Sequence, residues 1–581
     1  MKNIYAFFLV AFTLLACKNE KASQSLANAL DAEFEVYAQY FIDDLWKHNP
    51  EWATYVGFHA YDSVLTIPDS ASLQKSLEFV AAHLDSLAKY DITKLKPSNQ
   101  IDYELIKNNL ESTQWSNTTL KPHEWNPSIY NISGLIAFML NETYEPIETR
   151  LKDIQKRLQH ASHYYKVAAG NLKNPVPELV NLAIQQNEGG QYVFETTLKD
   201  SVNQSNLTES EKTLMLAQAD TALASVKGFV SHLKAILPES SASFRLGKEL
   251  YEAAFKYSIQ SRFSAEELYN QALNRKIYLH QEMAEVSAEL WPKYYPYEPK
   301  PKNNLDLIAR VISKVSENHV KPEEFQSAIE AQIPELVAFV KEKNLLYIDP
   351  SKPLVVRKEP AYMAGVAGAS VSAPGPYDKE AKTYYNVGSL EGWPAEKAES
   401  YLREYNHYIL QILNIHEAIP GHYTQLVYAN QSPSLVKSIL ANGAMIEGWA
   451  VYTEKMMLNS GYGNNTPEMW LMWYKWNLRT VCNTILDYGV HVNNMSKDEA
   501  IHLLTKEAFQ EIAEAEGKWN RVNVTSVQLT SYFAGFVEIV ALKENLKEIQ
   551  GSDFDLKAFH EQFLSYGNAP VKAISRLMLA K

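Results

Sequence analysis

Cysteine is nearly missing: Cys17 and Cys482 are the only two in 581 residues. A disulfide framework is therefore excluded, and an apolar core must carry stability. Basic excess is also missing. Lys and Arg number 55 against 68 Asp and Glu, a net charge of -13 with both signs mixed along the chain. A nucleic-acid footprint would need a basic face, so that class of partner is excluded. Glycine is sparse, at 22 residues, and none of it forms a phosphate-cradling loop at a strand–helix junction. Gly365-Val366-Ala367-Gly368 is not a dinucleotide fingerprint, and there is no nucleophile-elbow serine. After the first 16 residues, no apolar run approaches the length of a membrane helix.

What is present begins with an export signal over residues 1–16. Lys2 gives the positive start, and Ile4 to Leu15 is a short apolar run. Leu14-Leu15-Ala16-Cys17 resembles a bacterial lipobox, which makes Cys17 the expected lipidation site and leaves Cys482 unpaired. The plain alternative is a secretory signal with an incidental cysteine. Residues 17–26 read as a polar tether. The expected location is the bacterial cell envelope, with the body held at the periplasmic face or cell surface only through its lipid anchor.

Apolar residues then recur at helical spacing through most of the chain, with prolines such as Pro68, Pro97, Pro122, Pro175 and Pro238 marking the breaks. Helices are expected at about 71–90, 97–115, 143–170, 176–200, 208–236, 242–259, 264–290, 304–318 and 322–345. Near Pro350 the texture changes. Leu354–Arg357 and Thr383–Val387 read as strands around a small-residue, glycine-bearing stretch from Ala364 to Pro376. One of these strands either holds an extended peptide by backbone pairing or belongs to a sheet that simply packs the lobe. Helices resume at about 395–416, 423–430, 435–458, 467–492, 497–513, 525–549, 553–565 and 571–580. The expected fold class is mainly α and two-lobed, with a helical lobe over 27–349, a metal-binding lobe over 350–581 and a small sheet near the metal helix.

His416-Glu417-Ala418-Ile419-Pro420-Gly421-His422 carries the chemistry. Neutral imidazoles are good zinc ligands, and a Glu beside them is a natural general base toward water. The histidines are six apart. On an uninterrupted helix of 100° per residue, the two rings would diverge by about 240°. Pro420 has no N–H to return to His416 and biases Ile419 away from helical angles, while Gly421 can take the angles that turn the chain back. The Pro-Gly pair is therefore read as an interruption that brings His422 round to the metal. Glu447, on a second helix, supplies a third ligand. The expected site is one Zn2+ held by His416, His422 and Glu447, with one position left open and Glu417 as base. Glu454 lies seven residues after Glu447 on the same helix face, placed to orient a ligand histidine or else solvated beside Lys455.

Arg479, Asp487 and His491 share one expected helix. Asp487 can fix the His491 imidazole four residues on, His491 can donate to an oxyanion, and Arg479 can hold a substrate carboxylate; an internal salt-bridge network is the alternative. Among 35 tyrosines, Tyr532 and Tyr566 are the candidate oxyanion donors. His59, His123, His160 and His163 have no partner at ligand spacing and read as ordinary structural histidines.

These motifs resemble the bacterial "domain of unknown function 885" family. The clearest marks are His416–His422 and Glu447-Gly448-Trp449-Ala450-Val451-Tyr452-Thr453-Glu454. Pro50 to Asp62, Asn126-Pro127, Phe244-Arg245-Leu246-Gly247, Asp487–His491 and Ser531-Tyr532-Phe533-Ala534-Gly535 support them. The resemblance covers most of the mature chain, so 27–581 is expected to form one continuous family domain. It implies a zincin-like, metallopeptidase-like architecture with a deep cleft, and assigns metal roles to His416, His422 and Glu447 and the base role to Glu417. Tyr423 departs from it, standing where many relatives carry another histidine. The function expected is hydrolysis of peptide bonds, with short peptides favoured sterically. The alternatives are a helical binding lipoprotein without turnover, and a zinc amidase acting on a non-peptide or cell-wall amide. Nothing in the sequence sets an oligomeric state.

Overall fold

Helix boundaries follow the local chemistry of the chain in the computed structural model, which describes residues 28–359, 369–378 and 382–580. Helix Glu209–Ile236 starts on a reciprocal capping box between Thr208 and Glu211, and helix Ala265–Tyr294 on one between Ser264 and Glu267. Helices Pro97–Trp115, Pro177–Tyr192 and Pro467–His491 each begin with the proline whose missing N–H costs nothing at that position. The result is mainly helical with one small sheet, the fold class expected. The export signal, the tether and Cys17 lie outside the described residues. Among those described, no helix is long and apolar enough to cross a membrane.

The apolar interior is divided in two. A smaller core gathers Leu151, Ile154, Ala183, Phe194, Leu198, Ala222 and Val226, all drawn from chain between Leu65 and Leu233. A larger core joins the first helix (residues 28–48) and helix Ala265–Tyr294 to nearly everything after residue 369. The two cores therefore do not follow the expected cut between 349 and 350. Helix Ala265–Tyr294 packs along helix Pro467–His491, and that contact crosses the cut. The reason is physical: both helices bury an apolar face, and each is the other's cover.

Two breaks absent from the sequence reading matter for the site. Residues 395–416 form two helices, Ala395–Glu404 and His407–Glu417, because the Asn406 side chain caps Tyr408 and Ile409 N–H. Residues 435–458 likewise split at Asn442, which caps Met445 N–H and starts helix Gly443–Asn459. Both caps fix where the next helix points.

The sheet has three strands in the order β1-β3-β2: β1 Leu354–Lys358, β2 Ala369–Ser372 and β3 Thr383–Val387. β1 runs parallel and β2 antiparallel to β3, with Val356 and Val371 flanking Tyr385. β3 is the buried centre. Its Tyr385 hydroxyl donates to Asn414 Oδ1 at 2.9 Å, two residues before His416. β2 is an edge strand lying against the His407–Glu417 helix.

Candidate metal centre

The first metal helix ends at Glu417, and the next starts at His422. Ala418 leaves helical space (φ -110°, ψ -89°), the Ile419–Pro420 peptide is cis, and Gly421 sits at φ -74°, ψ -130°. Gly421 N–H donates to Ile415 O at 3.0 Å. A Cβ on Gly421 would run into the carbonyls of Ile415 and His416, so close approach is what demands glycine here. The turn is pinned from outside as well: Trp449 Nε1 donates to Pro420 O at 2.9 Å. Trp449 lies two residues after Glu447, so one indole ties the kink to the helix that carries the third candidate ligand.

The kink does what the spacing required. The His416 and His422 rings meet at 4.8 Å between centroids and 87° between planes. Ligand atoms of His416, Glu417 and His422 all lie within 4.8 Å of one another. Glu447 Oε2 is 3.4 Å from His422 Nε2 and 3.7 Å from His416 Nε2. Two carboxylates thus reach the pair, and their environments separate them. Burial would raise the Glu447 carboxyl, but His416 and His422 hold it well below the usual range, so it is ionised. Burial pushes the Glu417 carboxyl up, as suits a group that takes and returns a proton. Glu447 is thus the better candidate for a ligand and Glu417 the better candidate for a base.

Glu454 holds the far side of the cluster. Its Oε1 accepts from His416 Nδ1 at 2.7 Å and from Trp476 Nε1 at 3.1 Å, which leaves His416 Nε2 directed at Glu447. Burial lowers the His416 ring, but the neighbouring Glu447 and Glu454 carboxylates outweigh this and lift it to about 10. Three carboxylates around two imidazoles make a place for positive charge. The unspent polar atoms agree: Glu447 Oε2, Glu454 Oε2 and His422 Nδ1 are buried without a hydrogen-bond partner. An ionised buried oxygen stranded between two Nε2 atoms fits a divalent cation. One Zn2+ is compatible with this donor set of two imidazoles and a carboxylate.

Tyr532 belongs to the same place. Its ring lies 6.4 Å from the His416 ring and nearly parallel to it, at 22°. Burial, then the charge of Glu447, pushes its phenol up to about 12, so it stays a donor at neutral pH. What brings it there is a glycine contact. Gly448 and Gly535 face each other across helices Gly443–Asn459 and Ser531–Gln550, and a Cβ on either would overlap the opposing backbone.

Other candidates are placed elsewhere. The His491 ring was expected to donate to an oxyanion. Its Nε2 instead meets the carbonyls of Val522 (3.0 Å) and Thr525 (2.9 Å), and the ring packs between Tyr251 and Phe244. Asp487 was expected to orient His491. It accepts instead from Val527 N–H, Leu529 N–H and the Tyr251 hydroxyl, fixing the turn that leads to Tyr532. Arg479 stacks on Trp476 at 4.6 Å and pairs with Glu514, the internal network named as its alternative. Tyr566 follows helix Leu556–Ser565 and accepts from Gln562 Nε2 at 3.4 Å. Tyr423 donates to the Lys352 carbonyl, which holds the approach to β1. Sequence reasoning passed over Trp449, Trp476 and the Gly448–Gly535 contact. Trp476 stands three residues before Arg479, and that helical spacing was the available signal.

Comparison with known proteins returns the same outline. The sequence profile described as "Bacterial protein of unknown function (DUF885)" matches residues 50–578. A solved structure described as "a putative lipoprotein of unknown function from Shewanella oneidensis" is similar at 50% identity and TM-score 0.85, covering 94% of this chain and 99% of its own. Another, "the putative lipoprotein from Colwellia psychrerythraea", shares the fold at 17% identity and TM-score 0.75, covering 96% and 98%. No curated protein matches the chain.

Proposed function

For a chain that belongs to the bacterial DUF885 family, itself described only as of unknown function, we propose a zinc-dependent hydrolase of peptide bonds, lipid-anchored in the cell envelope and acting on short peptides. The observation that carries the proposal is the convergence of His416 Nε2, His422 Nε2 and an ionised, otherwise unpartnered Glu447 oxygen beside a second, half-buried carboxylate, Glu417. A cation bound there would supply Lewis-acid polarisation of a carbonyl and of water. Among the described residues, His416, His422 and Glu447 are the donors that converge there besides the base, which is the pattern of an open site; a structural zinc is normally closed by four.

The chain's own residues supply the rest. Glu417 accepts a proton from water and returns it to the leaving amine. Glu454 fixes the His416 ring through Nδ1, with Trp476 holding the carboxylate in turn. The Tyr532 hydroxyl donates to the oxygen that gains charge. The lipid anchor rests on the sequence around Cys17 and on the description of both solved relatives as lipoproteins. The test is a peptide-library digest by the purified protein and by Glu417→Gln. Cleavage by the first and none by the second is expected. Equal turnover by both removes Glu417 from the reaction.

A further inference from the structure

Beside Tyr532 lies a concentration of positive charge that the hydrolytic machinery does not use. Glu514, Lys518 and Arg521 lie at i, i+4 and i+7 on one face of helix Ile512–Val524. They face Arg479 and Asn483 on helix Pro467–His491: Arg479 pairs with Glu514, and Lys518 Nζ donates to Asn483 Oδ1 at 2.6 Å. Arg479, Lys518 and Arg521 thus gather about Glu514. Behind them, Arg479 stacks on Trp476, the residue that holds Glu454 against His416. At the solvent end stands Arg521. Its Nη2 donates to Gln528 Oε1 at 2.6 Å and to the Tyr532 hydroxyl oxygen at 3.5 Å, both neutral acceptors. Arg521 is exposed, so a substrate can reach it.

We propose that this site trims peptides from their carboxyl end, with Arg521 holding the terminal carboxylate beside Tyr532. The inference deepens the hydrolase reading and rests on it for the position of the scissile bond. A guanidinium presents a planar pair of donors that matches a carboxylate. The Tyr532 hydroxyl marks where the reacting carbonyl oxygen sits, and the Arg521 guanidinium is 3.5 Å away. One residue of extended chain spans at most about 3.3–3.6 Å. A carboxylate on Arg521 therefore presents the first or second peptide bond from the carboxyl terminus. Hydrolysis there adds water across the C–N bond, hydroxyl to the acyl carbon and proton to the departing amine, releasing one amino acid or a dipeptide. Half-buried Arg479 adds attraction without touching the substrate, its charge shared with Glu514 and Glu404.

The probe is acetyl-Ala-Ala-Ala-Phe as free acid and as its carboxyl-terminal amide, titrated into zinc-loaded Glu417→Gln protein by calorimetry. The free acid should bind about 10–100-fold more tightly, the worth of one charge-assisted pair. Adding Arg521→Ala should erase that preference, and Arg521→Lys should restore part of it. Equal binding of the two forms, no binding of either, or a preference that survives Arg521→Ala overturns the proposal. The wild-type protein separates this from the hydrolase reading. Internal cleavage of amidated peptides overturns the carboxyl-end assignment and leaves the hydrolase standing. Acid-selective binding with no cleavage of any peptide sinks the hydrolase and leaves the carboxylate anchor.

Discussion

Two groupings of histidine with carboxylate, one at His416 and one at His491, were both legible as candidates in the sequence, and they differ in how their hydrogen bonds are used. Asp487 is saturated by two backbone N–H groups and a tyrosine hydroxyl, and His491 gives one nitrogen to backbone carbonyls. Only His491 Nδ1 is left over. At the His416 cluster the reverse holds. Glu447 Oε2, His422 Nδ1 and Glu454 Oε2 are all buried and unmatched, and two of them are carboxylate oxygens. Saturation marks structural residues, because an unmatched buried polar group costs about 1–3 kcal/mol unless something else meets it. Unspent capacity at one point marks a site.

The comparison breaks most visibly on the ligands. Glu447→Ala should take the zinc content of the purified protein from near one per chain to near none, read by elemental analysis, with the fold retained by circular dichroism. Asp487→Asn should leave zinc unchanged. Gly421→Ala comes next. The added methyl meets two carbonyls of the preceding turn, so His422 must swing out, and zinc should be lost while most secondary structure survives. Glu454→Gln removes the acceptor that orients His416 and should weaken zinc about 10–100-fold, measured by competition with a chelator. Asp487→Asn should instead lower stability by roughly 1–3 kcal/mol in denaturant titration, since one buried backbone N–H loses its acceptor and faces an amide NH2.

A third histidine gives the smallest effect. His560 is pushed down to about 4 by burial, with Nδ1 on Leu345 O and Nε2 on the Tyr452 hydroxyl, both at 2.8 Å. It stays neutral when folded but protonates near 6.5 when unfolded. The unfolded state therefore binds more protons between those values, and stability falls as pH drops through that window. The expected loss is about 1–2 kcal/mol between pH 7 and pH 5, absent in His560→Gln.

Much of the fold was legible because its signals are local. The helix at Pro97–Trp115 matches its expected span, and Glu209–Ile236 is off by one residue, both set by apolar spacing, a proline or a capping box. The caps at Asn406 and Asn442 were missed because asparagine within a periodic run is weak punctuation. β2 was missed because Ala369-Ser370-Val371-Ser372 carries little strand propensity and forms only by pairing with β3. Within the site, the candidate ligands His416, His422 and Glu447 and the candidate base Glu417 lie on short motifs and could be read. Tyr532 is held near them by a glycine contact 87 residues apart in sequence, from Gly448 to Gly535, which no local pattern announces. His491 misled because its spacing from Asp487 suits a pair, yet the loop at Val527–Leu529 reaches Asp487 first.

X-ray absorption at the zinc edge of the purified protein tests the central claim most directly. The account predicts one zinc with two imidazole nitrogens at about 2.0–2.1 Å and light oxygen donors completing the shell, and the loss of one imidazole in His422→Ala. A sulfur donor, a shell with no imidazole, or a spectrum unchanged by His422→Ala would contradict it.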